Sequence, residues 1–161
     1  MRVLVYTLVA SGFLSVGCQH KSPAGSGFEM RLIANESSSN TENLLFTNKF
    51  ATEGEIISES LPVQKAVVID QTAVSSAKVE KYPGITNLYV EITFTDEGSR
   101  RLTEMTRQNI GKRLAIIIDG IVISAPKIEA EISEGKALIS ARFSKAEANA
   151  IADKINHSVK K

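Results

Sequence analysis

Two short apolar runs in the C-terminal half of the chain are joined by the dipeptide Asp119-Gly120. Leu114–Ile118 precedes the dipeptide, and Ile121–Ile123 follows it. An Asp-Gly pair between apolar runs is typical of a two-residue hairpin, because both turn positions require positive φ. The pattern therefore predicts two antiparallel strands. Ser124-Ala125-Pro126 ends the second strand, because Pro has no N–H to donate to a neighbouring strand.

A strand followed by an amphipathic helix is predicted immediately before this hairpin. Leu88–Thr95 alternates apolar and polar residues, as a half-buried strand does. Thr95 can cap a helix, and the two acids that follow it favour the positive end of the helix dipole. Gly111 is expected to end the helix as its C-cap. The apolar stripe of this helix consists of Leu102, Met105, Thr106 and Ile110.

The C-terminal segment continues with strands and a second helix. Ile128–Ile132 alternates and predicts a strand with Glu129 and Glu131 on its exposed face. Glu134-Gly135 predicts a turn, and Ala137–Phe143 a last strand. Ser144 and Glu147 have the spacing of a capping box. The stripe of the terminal helix consists of Ala148, Ile151, Ala152 and Ile155.

The N-terminal half has weaker signals. Phe28–Ala34 alternates and predicts a half-buried first strand, whereas residues 35–43 have the composition of a loop. Leu44–Pro62 predicts two short strands or irregular packing. Val67–Ile69 is a brief apolar run. Ala73–Lys81 could form a strand, and Tyr82-Pro83-Gly84 reads as a turn.

The order of these elements predicts an α+β fold. Helices with one apolar stripe bury it against one face of a sheet, and hairpin-connected strands are antiparallel. We therefore expect a two-layer sandwich in which two helices pack on one face of a mainly antiparallel sheet.

The N-terminus has the features of an export signal that ends at Cys18. Arg2 precedes an apolar run, Val3–Leu14, that is too short to span a bilayer. Ser15-Val16-Gly17-Cys18 resembles a bacterial lipoprotein cleavage site, in which the thiol takes a diacylglyceryl group. Cys18 is the only cysteine of the chain. It therefore cannot form an internal disulfide, and lipid attachment would explain its position.

The rest of the chain is expected to be one exported domain on a tether. Residues 18–27 have the Gly, Ser and Pro content of a flexible linker. Residues 28–59 are expected to form N-terminal strands and loops, and residues 60–157 the main domain. Removing residues 1–17 takes away one of 19 basic residues and none of 18 acidic ones, which leaves a formally neutral chain. This balance argues against a nucleic-acid partner.

Residues that could suggest catalysis have simpler explanations. Asp119 is explained by the turn, and Ser124 lacks the Gly-x-Ser-x-Gly frame of a hydrolase. Glu129 and Glu131 could be an acid pair or simply an exposed strand face. Two isolated histidines, His20 and His157, do not form a metal site. We therefore expect no enzyme activity, no metal and no cofactor. Gly111-Lys112-Arg113 also lacks the sequence motif of a phosphate-binding loop, so we do not expect it to bind phosphate.

Several separated motifs stand in one order along the C-terminal part of the chain. They include Thr95-x-x-Gly98, Thr106-x-x-Asn109-x-Gly111-Lys112, Asp119-Gly120, Ser124-Ala125-Pro126, Ile132-x-x-Gly135 and the strand that ends at Phe143. With these motifs in this order, residues from about Ser60 to Asn156 resemble the head subdomain of the first periplasmic domain of SecD, a subunit of the bacterial protein-export machinery.

The resemblance implies an exported domain that meets polypeptide leaving the translocon. The family holds this head on membrane helices, which the present sequence lacks, so we expect Cys18 to act as a replacement anchor. The first hypothesis is a lipid-anchored, non-enzymatic module that binds polypeptide, with Ala137–Arg142 or Phe28–Ala34 as an exposed strand edge. The alternative is a structural lipoprotein that holds an envelope complex together. Gln19 favours the outer membrane where the cell has one, and otherwise we expect the outer cell surface.

Overall fold

The structure is a computed structural model that describes residues 27–48, 57–81, 87–140 and 143–160. The predicted signal segment, Cys18, His20, the turn at residues 82–84 and residues 141–142 of the last predicted strand lie outside the described residues.

Nine strands and two helices make up the described part of the chain. A short 3₁₀ turn, Gln71–Ala73, joins the fourth and fifth strands. The elements are β1 (Phe28–Leu32), β2 (Thr41–Asn48), β3 (Ile57–Gln64), β4 (Ile69–Asp70), β5 (Val74–Glu80), β6 (Tyr89–Phe94), α1 (Asp96–Gln108), β7 (Leu114–Ile118), β8 (Ile121–Ser124), β9 (Lys136–Ser140) and α2 (Lys145–Val159).

The strands form two sheets. The larger has the order β3-β2-β8-β7-β1-β4, and the smaller has the order β5-β6-β9. Every neighbouring pair is antiparallel except β2 and β8, which meet in parallel at Phe46 and Val122. The predicted α+β class and the mainly antiparallel pairing are confirmed. The structure adds that the strands divide between two sheets.

The main core lies between the two sheets and the two helices. β1 contributes its alternate residues Phe28, Met30 and Leu32, as its sequence predicts. The smaller sheet turns Val90, Ile92 and Ile139 inward. The helices add most of their predicted stripes, and the fully buried members of these are Leu102 and Thr106 of α1 and Ala148 and Ile155 of α2.

A second, smaller core fills the inside of the curled larger sheet. Ile33, just after β1, bridges to Val63 of β3. The N–H of Ala34 also donates to the carbonyl of Pro62 at 2.8 Å. Five strands therefore close into a ring around a cluster that contains no helix residue. This cluster consists of Ile33, Phe46, Leu61, Val63, Ala115, Ile117 and Val122.

The predicted loop at residues 35–43 is shorter than expected. β2 begins at Thr41, and β2 and β3 pair along all eight of their residues. The polar residues at the start of β2 are compatible with a strand, because Glu42 forms an ion pair with Arg31 of β1. Leu44–Pro62 thus contributes to two long strands instead of two short ones.

The predicted strand at Ile128–Ile132 is wrong. None of its five residues, all of which the structure describes, pairs with a strand; the nearest bridge joins Lys127, the residue before the segment, to Arg113. The backbone of the segment bonds instead to α1 and the loop that follows it: the N–H of Ile132 donates to Thr106 Oγ1 at 3.0 Å, and Ile128 exchanges bonds with residues 111 and 112. Alternation cannot distinguish this arrangement from a strand, because Ile128 is buried in both cases.

The end of α1 also differs from the prediction. The helix ends at Gln108 with Asn109 as its C-cap, and Gly111 lies two residues further on with a φ of 88°. Ile110 is therefore outside the helix, and 56% of its surface is exposed. The predicted apolar stripe is right for Leu102, Met105 and Thr106 only.

Candidate functional surfaces

The turn at Asp119-Gly120 has the predicted geometry. Their φ angles are 49° and 77°, both positive. The Asp119 carboxylate accepts a bond from the N–H of Gly27 at 3.2 Å and one from Lys154 Nζ at 2.8 Å. Asp119 thus ties the start of the described chain and α2 to the tip of the hairpin, which is a structural role.

Gly98 lies where α1 closely approaches the 3₁₀ turn that leads into β5. A Cβ at this position would lie 2.0 Å from the carbonyl oxygen of Ala73, the residue that precedes β5. The same oxygen accepts the N–H of Thr95 at 2.9 Å. Only glycine fits here without moving the backbone, so Gly98 sets the distance between α1 and β5.

Asn109 and Gly111 shape the loop after α1. Asn109 Nδ2 donates to the carbonyl of Met105, and its Oδ1 accepts from Lys112 Nζ, both at 2.8 Å. The N–H of Gly111 donates to the carbonyl of Ile128 at 2.8 Å. The groups that could suggest a phosphate site are therefore engaged within the loop.

The remaining motif residues lie at strand ends. Ser124 ends β8 as a buried residue, and the carbonyl of Pro126 accepts the N–H of Leu114 at 2.8 Å. Gly135 has a φ of 69°, and its carbonyl accepts the N–H of Phe94 at 2.9 Å. Ala125 packs against the second core, and Phe143 against the main one.

The other polar residues considered above do not converge. Glu129 and Glu131 are exposed, and His157 Nδ1 lies 2.7 Å from the carbonyl of Asp153 in its own helix. Within the described ranges, no group of three or more His, Cys, Asp or Glu residues could hold a metal ion. None of the helices in that part of the chain is both long and apolar enough to cross a bilayer.

β9 lies at one edge of the smaller sheet in the part of the chain that the structure describes. In an antiparallel ladder, residue pairs that are hydrogen-bonded to each other alternate with pairs that are not. Because the N–H of Phe94 donates to the carbonyl of Gly135, this pair is hydrogen-bonded, and every second pair along β6 and β9 is as well. Ala137 and Ile139 face β6, and the N–H and C=O groups of Lys136, Leu138 and Ser140 point away from it. β9 is the terminal strand in this sheet of the described chain. Because no further described strand pairs with these groups, an added strand could bond to them.

The opposite edge of the same sheet is closed. Asn156 of α2 bonds to both backbone groups of Ala77 in β5: its Oδ1 accepts the N–H at 2.8 Å, and its Nδ2 donates to the carbonyl at 2.9 Å. Ala77 is opposite Ile92, and the backbone N–H and C=O of Ile92 point towards β9. The N–H and C=O of Ala77 therefore point away from β6, towards the outer edge of the sheet. The Asn156 amide thus makes the two hydrogen bonds that a neighbouring strand would otherwise make to Ala77.

The outer face next to the open edge combines an apolar side chain with charges. Leu138 is 46% exposed and lies opposite Glu91 of β6. The Glu91 carboxylate is 3.1 Å from Lys136 Nζ and 3.4 Å from Lys78 Nζ. Hydrogen bonding to Lys136, more than that to Lys78, keeps the pKa of Glu91 below its ordinary value, although partial burial opposes this.

The second predicted edge is not an edge. β1 pairs with β7 along its whole length and with β4 at Glu29 and Met30. Past its end, Ile33 and Ala34 bond to β3. Phe28–Ala34 is therefore unsuitable for strand addition, and the prediction is wrong because the strands that cover it, β4, β7 and β3, are distant in sequence.

An apolar groove of about 330 Å³ lies between the β8 side of the larger sheet and α2. Ile121 forms part of its rim and is 58% exposed. Sequence reasoning did not find this groove, because its two walls come from elements far apart in the chain. It is lined by Phe46, Thr47, Ile118, Ile121, Val122, Ile123, Phe143, Glu147, Ala150, Ile151 and Lys154.

Comparison with known families identifies the fold. Residues 44–158 match the family described as "SecDF, P1 head subdomain". The chain belongs to this family. The match includes β9, the groove and every motif residue from Gly98 to Phe143, and the head is thus related to a protein-export subunit.

Two of the sequence relatives of this chain are named as protein translocase subunits. The chain is 52% identical over 63 residues to the protein translocase subunit SecDF of Thermus thermophilus, covering 39% of this chain and 9% of that one. It is 36% identical over 92 residues to the SecD subunit of Desulfurispirillum indicum, covering 57% and 18%. The chain thus spans a fifth or less of these relatives' length.

Solved SecDF structures share the fold. A structure described as that of a membrane component SecDF that enhances protein export superposes with a TM-score of 0.61 at 26% identity, covering 84% of this chain and 65% of that one. The crystal structure of SecDF in a super-membrane-facing form gives 0.60 at 27% identity, covering 84% and 20%. The sequence resemblance to a SecD-type head is confirmed.

Proposed function

We propose that this protein is an exported, non-enzymatic module that binds extended polypeptide by strand addition at the open edge of β9. The observation that supports this most directly is the row of outward-facing backbone groups at Lys136, Leu138 and Ser140. Its family membership adds that the relatives are subunits of a protein translocase. Strand addition gives affinity through main-chain hydrogen bonds and therefore tolerates many sequences.

The charges around β9 favour an edge that is open to a partner. Proteins often protect an exposed edge with a lysine that repels an incoming strand. Lys136 is at such a position, but its ammonium group is 3.1 Å from the Glu91 carboxylate on the sheet face. Leu138, exposed beside it, offers an apolar contact to alternate side chains of an added strand.

Leu138→Pro tests strand addition directly. Proline removes the outward N–H of residue 138 but no bond to β6, so the fold should be kept. We expect at least a tenfold loss of affinity for a reduced, carboxymethylated protein, measured by fluorescence anisotropy. The control, Leu138→Thr, keeps the N–H and should lose less. Unchanged binding by the proline variant, with its unfolding free energy within about 1 kcal/mol of wild type, would refute the edge.

The proposed location is the periplasm or the outer cell surface, with a lipid on Cys18 as the anchor. The signal-like segment before Cys18 supports this, and Gln19 favours the outer membrane where the cell has one. Mass spectrometry of the mature N-terminus tests the anchor. We expect a lipid-modified Cys18 in the wild-type protein and none in Cys18→Ser. An unmodified wild-type N-terminus would remove the anchor and leave the β9 proposal standing.

The alternative, an assembly lipoprotein of an envelope complex, predicts a different outcome. Such a protein would copurify with one partner at fixed stoichiometry, and Leu138→Pro would leave that complex intact. Crosslinking in whole cells followed by purification of the wild-type and proline variants distinguishes the two. Many substoichiometric partners that disappear in the proline variant favour polypeptide binding.

A further inference from the structure

We propose that the apolar groove between β8 and α2 holds an acyl chain of the lipid carried by Cys18 of the same molecule. This inference depends on the lipid anchor proposed above. It concerns a different surface from β9 and assigns that surface a different ligand. Binding would cover the exposed apolar rim whenever the lipid is not fully inserted in a bilayer.

The lining of the groove suits a ligand without polar groups. Its three polar side chains already have partners: Thr47 bonds to Ser58, Glu147 to the Ser144 cap, and Lys154 to Asp119. A peptide would bring amide groups that need hydrogen-bond partners, and burying them unpaired is costly. An acyl chain has no such requirement, and a volume of about 330 Å³ lies within the range of ligand sites.

The N-terminal segment joins the fold next to this groove. Gly27 and Asp119 exchange two hydrogen bonds, of 3.1 and 3.2 Å. Asp119 lies directly after Ile118, a groove residue, and its carboxylate binds Lys154 at 2.8 Å on the α2 side of the same groove. The described chain therefore begins beside one end of the groove.

Cys18 can reach the groove on covalent geometry alone. It lies nine residues before Gly27, and nine residues span at most about 30 Å. An intramolecular ligand on so short a connection has a high effective concentration, in the millimolar range for short linkers. The chain's own lipid is therefore favoured over a free lipid in solution.

A photoreactive benzoylphenylalanine at position 150, in place of Ala150, tests the inference in the full-length lipidated protein in detergent. Asn149, the preceding exposed residue of α2, does not line the groove and is the matched control position. Mass spectrometry first verifies that Cys18 is lipidated. We then expect the crosslink between residue 150 and the acyl group on Cys18 of the same chain to form in at least fivefold higher yield than from position 149.

Three outcomes would overturn the inference without affecting the anchor. The first is equal labelling at positions 149 and 150, as by bulk detergent. The second is a crosslink between two protein chains. The third is no adduct with the Cys18 acyl group in a protein whose lipid has been verified. As a second readout, Ala150→Trp should abolish the difference in hydrogen exchange of β8 between lipidated protein and Cys18→Ser, and Asn149→Trp should preserve it.

Discussion

The two edges of the β5-β6-β9 sheet are both formed by antiparallel strands, but they differ in what binds their outward backbone groups. At β5, Asn156 of α2 binds the outward N–H and C=O of Ala77, and α1 packs closely against the residue before the strand. At β9, among the described residues, neither helix bonds to the outward groups of Lys136 and Leu138. The comparison shows that the β5 edge is covered by the helices, while the β9 edge pairs with no further strand among the described residues.

The difference follows from where the helices lie. α2 runs along β5 and contacts β6 only weakly. The apolar stripe of α2 requires this placement, since Ala148 and Ile155 are fully buried in the main core. Asn156, next to Ile155 on the helix, then reaches the edge of β5. Among the described residues no helix bonds to the outward backbone groups of β9, so side chains are the protection that this part of the chain gives that edge.

Gly98→Ala should cause the largest effect, because it breaks the close packing on the β5 side. The added Cβ would lie 2.0 Å from a backbone oxygen, so either α1 or the start of β5 must move. We expect the unfolding free energy to fall by about 3 kcal/mol, measured by urea denaturation. Glu104→Ala, at an exposed position of the same helix, should change it by less than about 0.5 kcal/mol. Equal effects of the two would refute the close approach.

Asn156→Ala should open the β5 edge and make the two edges alike. It leaves the partly buried N–H and C=O of Ala77 without their partner, which costs about 1–3 kcal/mol of unfolding free energy. Hydrogen exchange at Ala77 should accelerate, while exchange at Ile92 in the sheet centre should change little. Asn149→Ala, on the exposed side of α2, is the control. An unchanged exchange rate at Ala77 would contradict the assigned role of Asn156.

Glu91→Gln should have the smallest effect, because it changes only the ion pairs that lysines of the two edge strands make to the central strand. Lys78 of β5 and Lys136 of β9 both contact this carboxylate. Since the pKa of Glu91 is lowered in the folded protein, its contribution is present above about pH 4.3 and is lost as the pH falls through the folded-state pKa.

The pH dependence provides the measurement for this variant. We expect Glu91→Gln to unfold at slightly lower urea concentration than wild type at pH 7, with the gap closing towards pH 2–3. Glu131→Gln, an exposed carboxylate outside the sheet, is the control. A gap that stays constant from pH 7 to pH 2 would show that the lysine pairs do not stabilise the charged form.

Much of the fold could be predicted from local patterns. The alternation of β1 and β6, the caps at Thr95 and Ser144, and the Asp119-Gly120 turn all depend on residues within a few positions of one another, and the structure confirms them. The predictions fail where backbone partners are distant. Ile128–Ile132 alternates like a strand, yet its partners are the hydroxyl groups of α1 and a loop carbonyl.

The candidate surfaces also divide into those that local sequence patterns predict and those that depend on distant residues. The sequence indicated that residues 137–142 form an exposed strand edge, and for residues 137–140 the structure has an edge strand, β9, among the described residues. It also suggested Phe28–Ala34, which β7 and β4 cover. Asn156 gave no signal, because a polar residue on a helix face usually indicates only solvent exposure. The groove gave none either, because apolar residues that line it look like core residues in the sequence.

The sequence alone thus determined most of the helices and strands, the α+β class and the resemblance to a SecD head, because these depend on local propensity and on short motifs in order. Only the tertiary structure decided which strand edge is open, which is closed by Asn156, and that a groove lies beside the point where the segment from Cys18 joins the fold. These features depend on contacts between residues as far apart as Ala77 and Asn156, and hydrophobic patterning does not specify such pairings.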